Sequence, residues 1–454
     1  MAAFSRQQQG MQLQQMQRMP VPQGKMPFFR PFLKNFQFST FNFQLFANFA
    51  PRMTHQTINI EETGVKIQLS SFTAGTISEH HAILCLEPRN DTFEQQFARI
   101  CDAETRLMDS PDMSGAQPLF KRYFLSDATN QVPVMKDGQC SMVNAQRSMV
   151  NGQCTISYIQ QPPLNGSKLA LWIYLVKDLS QSDGNVQCSM LNAQCNSSVF
   201  THNGYSHIWT MGLYNTTADT SYMQTWETLF RYIAILKDFN ATLEANCLRT
   251  WFFVRDVDTQ YNGLVKARRE CFAEQGLTTN THYIASTGIG GTPADPKAII
   301  QLGAYALTGF RPEQQRYLYA PTHLNRTSDY GVTFERGTLM QYGDRDHVYI
   351  SGTASIDNHG EVIHVGDIRK QTIRMWENVE KLLEEGGMTY GDVMQIIVYL
   401  RDCADYNVVK EMFIERFPDS PFVITLAPVC RPTWLVEMEC IAVKAARNEQ
   451  FPDF

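Results

Sequence analysis

Two apolar segments of this chain repeat one pattern about 145 residues apart. Leu248–Asp256 and Met394–Asp402 both have the composition of a buried strand, and both end in Arg-Asp. A Tyr-Asn pair follows each segment, at 261–262 and at 406–407, a separation of 145 positions. Several matches in register with the same predicted elements indicate an internal duplication rather than chance. The chain is therefore constrained to fold as two copies of one unit.

The second copy gives the order of elements in this unit. Its apolar patterns predict a β-hairpin, a helix, a strand, a second helix and two final strands. The predicted elements are His347–Ile356, Gly360–Gly366, Ile368 to Gly386, Met394–Asp402, Tyr406 to Phe417, Phe422–Val429 and Leu435–Val443. This order is typical of an α+β fold with helices on one face of a sheet. We predict two related α+β domains in tandem, residues 53–325 and 326–447, of which the N-terminal one is enlarged by insertions.

Two low-complexity tracts and the N-terminal segment are set apart from these domains. The phrase Ser-Met-Val-Asn or Ser-Met-Leu-Asn occurs three times, within residues 137–154 and 183–197. The cysteines of these tracts lack the short spacing and the accompanying histidines of a zinc site, so we predict surface insertions and no metal. Residues 1–52 contain no acidic residue and are rich in Gln, Met and Phe. We interpret them as a disordered or misassigned extension.

Composition excludes several classes of protein. The net charge of −6 at pH 7 gives no electrostatic reason to expect a nucleic acid as partner. No run approaches the roughly 18 apolar residues of a membrane span. Eleven scattered cysteines suit the reduced thiols of a cytoplasmic protein better than a disulfide framework. The Gly-rich stretch Thr287–Thr292 matches neither a dinucleotide fingerprint nor a P-loop. We expect a cytoplasmic protein with no cofactor and no membrane partner.

Differences between the two copies indicate where the chemistry lies. In the second copy Arg431 directly follows a buried strand, where a guanidinium needs an anionic partner, and its planar fork suits a carboxylate. Glu437 and Glu439 lie two apart on the next strand, so both side chains face the same way. The first copy has Ile284–Thr292 in the corresponding place, with neither the arginine nor the acids. Spacing alone leaves two interpretations open, an anion site with acid groups and a self-contained salt bridge.

Several motifs resemble those of two related families. From Tyr349 to Val443 the SGTASI stretch, the YLRD strand and the ending with Arg431 and Glu437–Glu439 resemble a RidA/YjgF-type domain. From Met53 onward the chain more specifically resembles the chorismatase family, in which a divergent RidA-like half precedes such a domain. The stretches that carry this resemblance are RTWFFVRD, GLVKARRECFAEQG, STGIGGT and YGVTFERG. Where that family has Asn-Tyr, this chain has Phe252-Phe253, so contacts of those two side chains are not carried over.

The chorismatase resemblance implies hydrolysis of chorismate, with release of its enolpyruvyl group as pyruvate. Chorismate is a dianion: Arg431 matches the family's carboxylate-binding arginine, and Arg336 with Tyr330 would hold the other carboxylate. Splitting the enol ether requires a proton at its methylene carbon, and Glu437 resembles the catalytic acid of the family. An ordinary Glu is mostly ionised at neutral pH, so burial and nearby carboxylates must raise its pKa.

Cys430 and three further residues complete the predicted site. A cysteine at a strand end is usually a small hydrophobic group, but beside Arg431 a thiolate would be favoured. Within the chorismatase resemblance, Cys at this position indicates the branch that forms 3-hydroxybenzoate, and a small inert residue indicates a dihydroxycyclohexadiene carboxylate. Thr353 would hydrogen-bond either the ligand or its own neighbour. Gly290 and Gly291 would let the backbone approach the substrate, or would only form a strand-end loop.

Two other functions stay open at this point. A RidA-type enamine or imine deaminase would use Arg431 to hold a substrate carboxylate while water hydrolyses the imine. A non-catalytic binding protein for a small carboxylate would keep Arg431 and tolerate the loss of Glu437. RidA domains usually form trimers, but a fused duplication supplies part of that packing within one chain. We therefore expect a monomer rather than a trimer.

Overall fold

The computed structural model of the chain describes residues 51–143, 154–180, 188–191 and 196–454. The predictions for residues 1–50 and for much of the two low-complexity tracts lie outside these residues. Two described pieces of the tracts are regular, since a helix continues to Val143 and Cys188–Leu191 is the edge strand of a sheet. That these tracts are surface insertions stays a prediction. An edge strand is paired through its backbone on one side only, so it does not require a strongly apolar sequence.

The first unit of the fold spans residues 52–178. Its elements are, in chain order, β1 (Arg52–Ile60), β2 (Val65–Ala74), β3 (Ile77–Leu86), α1 (Phe93–Met108), β4 (Gln117–Leu125), α2 (Ala128–Val143), β5 (Thr155–Gln160) and β6 (Leu169–Asp178). Helix α1 begins at a capping box in which Thr92 and Gln95 each bond the backbone of the other. Its apolar face, which includes Phe97 and Ile100, packs in one cluster with the buried residues of the sheet.

The second unit spans residues 188–308 and contains three helices. Its elements are β7 (Cys188–Leu191), β8 (Ser197–His202), β9 (Tyr205–Leu213), α3 (Ser221–Asp238), α4 (Leu243–Asn246), β10 (Cys247–Val254), α5 (Val257–Glu274), β11 (Ala285–Gly290), β12 (Thr292–Pro293) and β13 (Ile300–Thr308). The two-residue strand β12 leaves this sheet and pairs with β5 of the first unit. It therefore ties the two units together through the backbone.

The third unit begins at a 3₁₀ turn, Pro312–Gln314. Its further elements are β14 (Gln315–Leu318), a 3₁₀ turn Thr327–Tyr330, β15 (Gly337–Gln341), β16 (Arg345–Ala354), α6 (Ile368–Glu385), a 3₁₀ turn Tyr390–Asp392, β17 (Val393–Leu400), a 3₁₀ turn Cys403–Asp405, α7 (Tyr406–Arg416), β18 (Phe422–Leu426) and β19 (Val436–Ala445). Its edge strand β14 lies before the boundary predicted at residue 325. The second strand of the predicted hairpin is reduced to a single bridge between Ile356 and Val362.

The strand orders show that the unit occurs three times. The three sheets have the orders β1-β2-β3-β6-β4-β5 with β12 added at the edge, β7-β8-β9-β13-β10-β11, and β14-β15-β16-β19-β17-β18. In each sheet the last two of these strands are parallel and the described remaining pairs are antiparallel. The predicted α+β class with related units in tandem is confirmed. The part predicted as one enlarged N-terminal domain contains two of these sheets.

Helices and sheets form separate apolar layers around a shared centre. One cluster lies between the helices and the sheet of the first unit, and a second lies in the same place in the second unit. The largest cluster contains side chains of all three sheets, among them Trp172, Trp251 and Tyr349. The three sheets thus bury apolar residues against one another, and the chain is held together by the same burial that stabilises each unit.

Candidate active site

A cavity of about 310 Å³ lies between the second and third units. One wall is formed by α5 and β11 of the second unit, and the other by β16, β19 and the loops that precede β15 and β19. The cavity is thus built from two copies of the same fold. Of the residues predicted for the site, Glu437, Cys430, Arg431 and Arg336 line it.

Glu437 is presented to this cavity by the central strand β19. It pairs with Tyr399 of β17 and with Ala354 of β16, and only 4% of it is exposed. Burial raises the pKa of Glu437 to about 8, and the neighbouring charge of Glu439 acts in the same direction. The opposing charges of arginines in the surroundings do not overcome these two effects. The carboxyl group therefore carries its proton at neutral pH, as a general acid must.

Gly352 on β16 leaves the space that the carboxyl group of Glu437 occupies. A Cβ atom at position 352 would lie 2.2 Å from Glu437 Oε1 and 3.0 Å from Thr287 Cγ2. The backbone N–H of Gly352 donates to the Thr287 hydroxyl at 2.9 Å. The strand can therefore carry only glycine here while the acid keeps its position.

Two of the predicted arginines reach the cavity from the third unit. The guanidinium of Arg431 lies over the ring of Trp434, at 4.9 Å from its centre, in the loop before β19. Arg336 is buried and donates from Nε to the Asn325 carbonyl at 3.2 Å and from Nη2 to Asn325 Oδ1 at 3.0 Å. These contacts fix the plane of the Arg336 guanidinium at the wall of the cavity. Both groups are placed to attract an anionic ligand.

A third cavity arginine, Arg268, was missed in the sequence. It is fully buried on α5, where Nε donates to the Thr333 hydroxyl at 3.1 Å. Tyr261, Val265 and Arg268 lie at positions i, i+4 and i+7 of this helix and all line the cavity. Helical spacing places such residues on one face, and that signal was present in the sequence. It required knowing that this helix faces the third unit.

Cys430 lines the cavity beside Tyr261 and Arg431, but it is a thiol rather than a thiolate. Burial raises the pKa of Cys430 to about 12, and the nearby Glu437 contributes in the same direction. Arg431 and a hydrogen bond with Tyr261 act the other way and are outweighed. The predicted thiolate is therefore wrong for the site without substrate, because desolvation at this strand end is stronger than one partly exposed guanidinium.

The residues that line the cavity do not include the predicted Thr353, Gly290 and Gly291. The Thr353 hydroxyl donates to the Ser351 carbonyl at 2.9 Å, since alternation along β16 turns it away from the side that Gly352 and Ala354 line. The N–H of Gly290 donates to the Pro428 carbonyl at 2.9 Å. A Cβ atom at Gly290 would lie 2.7 Å from the same oxygen. Of the predicted substrate contacts, Thr353 bonds its own neighbour instead, and Gly290 serves contact between units.

Gly291 also takes part in a contact between units, and Tyr330 belongs to a turn beside the cavity. A Cβ atom at Gly291 would lie 3.0 Å from Ile159 Cγ1, so this glycine allows the first unit to approach. The backbone of Tyr330 belongs to the 3₁₀ turn Thr327–Tyr330, next to the cavity-lining residues Gly331 and Val332. The predicted contact of the Tyr330 side chain with substrate stays a prediction. Among the described residues, no group of three His, Cys, Asp or Glu side chains could hold a metal ion.

A second cleft, of about 360 Å³, occupies the equivalent place between the third and first units. Tyr406 on α7 lies there, 145 positions after Tyr261 on α5. The described residues that line this cleft include no arginine, and the acid among them, Glu87, is exposed. Repetition of the fold has thus produced two related clefts, and the buried acid with its arginines occurs in the first.

Comparisons with known proteins agree with the repeated fold. Residues 340–444 match the family described as Endoribonuclease L-PSP. The chain is 36% identical over 99 residues to a RutC family protein of Pyrococcus abyssi, which is 21% of this chain and 78% of that protein. The chain belongs to the endoribonuclease L-PSP (RutC) family. Another member, the 3-aminoacrylate deaminase RutC of Acinetobacter baylyi, is 32% identical over 98 residues, 21% of this chain and 77% of that protein.

A solved structure extends the likeness beyond this family region. The crystal structure of a chorismatase superposes with a TM-score of 0.55 and covers 74% of this chain and 96% of its own. At 18% identity the comparison shows a shared fold. The RutC-type unit at the C-terminus is thus part of a larger chorismatase-like fold.

No helix of the described residues is long and apolar enough to span a membrane.

Proposed function

We propose that this protein is a chorismatase-like hydrolase that cleaves the enolpyruvyl ether of chorismate to pyruvate and a hydroxybenzoate. The observation that carries the proposal is the combination, in one cavity, of a protonated buried acid, Glu437, with three arginines. A dianionic substrate requires several cationic anchors, and an enol ether requires a proton donor. The fold shared with a chorismatase supports the same assignment.

In this proposal the arginines bind the two carboxylates of chorismate. Arg431 and Arg336 approach from the third unit, and Arg268 approaches from α5 of the second. Because they lie on opposite walls, the substrate would bridge the two units. Charge-assisted hydrogen bonds in a site shielded from water are the strong kind, and they would fix the ring relative to Glu437.

Glu437 then acts as general acid and afterwards as base. Its proton moves to the methylene carbon of the enol ether, which leaves an oxocarbenium ion at the ether carbon and a carboxylate at Glu437. Water adds to that carbon and returns a proton to Glu437, and the hemiketal collapses to pyruvate and a dihydroxycyclohexadiene carboxylate. Loss of one water from this diene gives 3-hydroxybenzoate, so the overall cleavage to that product consumes no water. General acid–base groups of this kind contribute about 10²–10⁴-fold to rate.

Cys430 supports 3-hydroxybenzoate as the product. The residue lines the cavity together with Tyr261 and Glu437, so its thiol can contact the ring of the cleaved substrate after pyruvate has left.

A cytoplasmic location belongs to the same proposal and is supported by the cysteines of the described residues, which are free thiols.

A deaminase remains the second candidate because of one specific finding, the 32% identity to a 3-aminoacrylate deaminase. The match covers 21% of this chain and 77% of that protein. An imine of a small amino acid has one carboxylate, so Arg431 alone would hold it. The further arginines on the opposite walls favour a larger, doubly charged substrate.

Product analysis tests the two candidates together. Purified protein is incubated with chorismate, or with an imine formed from a small amino acid, and products are followed by chromatography and mass spectrometry. We expect pyruvate with 3-hydroxybenzoate from chorismate, at least about 100-fold less of both from Glu437→Gln, and a non-aromatic diene acid from Cys430→Ala. Chorismate that decays at its uncatalysed rate while the imine is hydrolysed would establish the deaminase instead.

The second cleft provides a matched control. Tyr261→Phe and Tyr406→Phe make the same change at equivalent positions of two related clefts. We expect the first to alter product formation, since Tyr261 contacts Cys430, and the second to leave it unchanged. A loss of chorismate cleavage in Tyr406→Phe alone would place the reaction in the other cleft.

A further inference from the structure

Glu439, two residues beyond the acid, is held by side chains of another unit. It is 1% exposed, and Arg249 Nη2 lies 2.7 Å from its Oε2. Trp251 Nε1 donates to Oε1 at 2.7 Å, and the Thr287 hydroxyl donates to Oε2. All three donors belong to the second unit. From the first unit, Arg122 Nη1 lies 3.7 Å from Oε1.

The direction of these hydrogen bonds fixes the charge of Glu439. Thr287 Oγ1 accepts from Arg249 Nη2 at 2.6 Å and from the Gly352 N–H at 2.9 Å, so its own proton points to Glu439. Guanidinium and indole groups can only donate. Glu439 therefore receives donors on both oxygens and meets no acceptor among its described contacts. A protonated Glu439 would need an acceptor, so the arrangement is that of a carboxylate.

Glu437 shares a wall with this carboxylate. The two side chains face the same side of β19, and Gly352 lies against both Glu437 Oε1 and Thr287. We propose that Glu439 is a positioning residue: held by Arg249, Trp251 and Thr287, it provides the fixed negative charge that keeps the proton on Glu437 until substrate is bound. This inference rests on the proposed role of Glu437 as general acid. It adds a residue that has no contact with the cavity.

Other charged and titratable groups also surround Glu437. The cations are Arg249 behind it and Arg336, Arg268 and Arg431 around the cavity, and their effect on the charge of Glu437 is opposite to that of Glu439. The neutral groups are Tyr261, Tyr399 and Cys430. The nearby cations favour the charged form of Glu437, whereas its burial and the charge of Glu439 oppose them. A neighbouring carboxylate is the arrangement that offsets them without entering the substrate space.

The carboxylate occurs in one of the three units. The corresponding strands β6 and β13 have no acidic residue from Leu169 to Lys177 or from Ile300 to Thr308. Equal units, as in a trimer of identical chains, would carry this charge three times. Joining the units in one chain allows Glu439 to stand opposite Arg249 at a single interface.

Carbon-13 NMR of protein labelled at the glutamate side-chain carboxyl carbon tests this inference without substrate. The resonance of Glu437 is assigned by its absence in Glu437→Gln. We expect it to titrate about one to three pH units lower in Glu439→Gln, which removes the charge, and within about half a unit of wild type in Glu439→Asp, which keeps it. Glu104→Gln removes another buried, ion-paired carboxylate, on α1 far from the cavity, and should leave the resonance unchanged.

Unchanged titration of Glu437 in Glu439→Gln would overturn the inference. If that variant does not fold, wild-type protein decides the matter, since the inference requires the Glu439 side chain to be a carboxylate while Glu437 carries its proton. A proton found on Glu439 at neutral pH would also overturn it. The NMR result is independent of chorismate, so failure of the proposed reaction would leave it intact. Where chorismate is cleaved, the high-pH limit of kcat/KM should move down by the same amount in Glu439→Gln.

Discussion

Glu437 and Glu439 have the same side chain on the same strand, but their surroundings give them different charges. Glu439 receives hydrogen bonds from an arginine, an indole and a hydroxyl, which together repay the cost of burying a carboxylate. Glu437 lies at the cavity wall without such a set, and its pKa is raised to about 8 by burial. The protein thus keeps Glu437 protonated at neutral pH by burying it without a comparable set of hydrogen-bond donors.

This arrangement should make Glu437 a cost to stability at high pH. Its pKa is about 8 in the folded protein and about 4.3 in an unfolded chain. Between these values the folded protein holds a proton that the unfolded chain releases, so the contribution to stability is present below about pH 4.3 and falls as pH rises to about 8. We expect Glu437→Gln to be more stable than wild type at pH 8, by on the order of a few kcal/mol, and equal to it near pH 4.

Urea unfolding at several pH values measures this difference. The exposed Glu449 is a suitable control, since Glu449→Gln should follow the wild-type curve at every pH. Equal stability of wild type and Glu437→Gln at pH 8 would show that Glu437 is not protonated in the folded protein, and would remove the main support for its role as general acid.

At the scale of one element, β16 matters because of a single glycine in it. Gly352→Ala would place a Cβ atom 2.2 Å from Glu437 Oε1, so the carboxyl group must move. We expect product formation to fall by about 100-fold or more, since an acid displaced from its substrate loses most of its effect. Gly391→Ala is the matched control, because its Cβ atom would meet only Thr389 Oγ1 at an ordinary 3.4 Å. Thermal unfolding should show both variants folded, and full activity of Gly352→Ala would contradict the proposed position of Glu437.

Local patterns allowed the elements of the third unit to be predicted, along with the residues that strand order alone brings together. Spacing in the sequence was sufficient to predict Cys430, Arg431 and Glu437 as site residues, because they lie on one strand and in the loop that precedes it. Arg268 could not be found in this way, because it reaches the cavity from a helix of another unit. The contacts of Gly290 between units were equally hidden, since they depend on how the sheets pack.

The first unit was not predicted as a further copy of the fold. Its strand β4 is followed by Ser126-Asp127, without the Arg-Asp pair that follows β10 and β17, so the sequence shows no matching motif there. Its apolar positions are as well buried as those of the other units. Topology has been kept by burial, which many sequences satisfy, while the marker residues have been lost.

For the whole molecule, three units of one fold pack together within a single chain. The three sheets already pack against one another in the largest apolar cluster, and both inter-unit clefts lie within a single chain. We expect a monomer of 51.8 kDa by light scattering after size-exclusion chromatography, at concentrations from about 1 to 100 μM. A mass three times larger, constant over this range, would show that the chain forms a trimer of its own.

The same internal assembly depends on a buried ion pair between the first and third units. Arg345 is fully buried and donates from Nη1 to Glu79 Oε1 at 2.7 Å, and His347 Nε2 lies 2.9 Å from the same oxygen. Burial alone would raise the pKa of Glu79, but His347 and Arg345 hold it well below its usual range. Glu79 therefore adds stability above the pKa of an unfolded Glu, about pH 4.3, and this contribution is lost as pH falls below it.

Arg345→Met should leave Glu79 buried without its guanidinium partner, and breaking a buried pair costs about 3–5 kcal/mol in known cases of this kind. Urea unfolding at pH 7 measures the loss, and Arg447→Met, which removes an exposed arginine paired with Glu449, should cost less than about 1 kcal/mol. The double variant Glu79→Gln/Arg345→Met should recover part of the loss, because the buried charge of Glu79 is removed together with its partner, while Asp344 still lacks Arg345. A double variant less stable than Arg345→Met would mean that Glu79 stabilises the fold through its other partners, His347 and the Tyr174 hydroxyl. In that case the contact of Glu79 with Arg345 would not be what joins the two units.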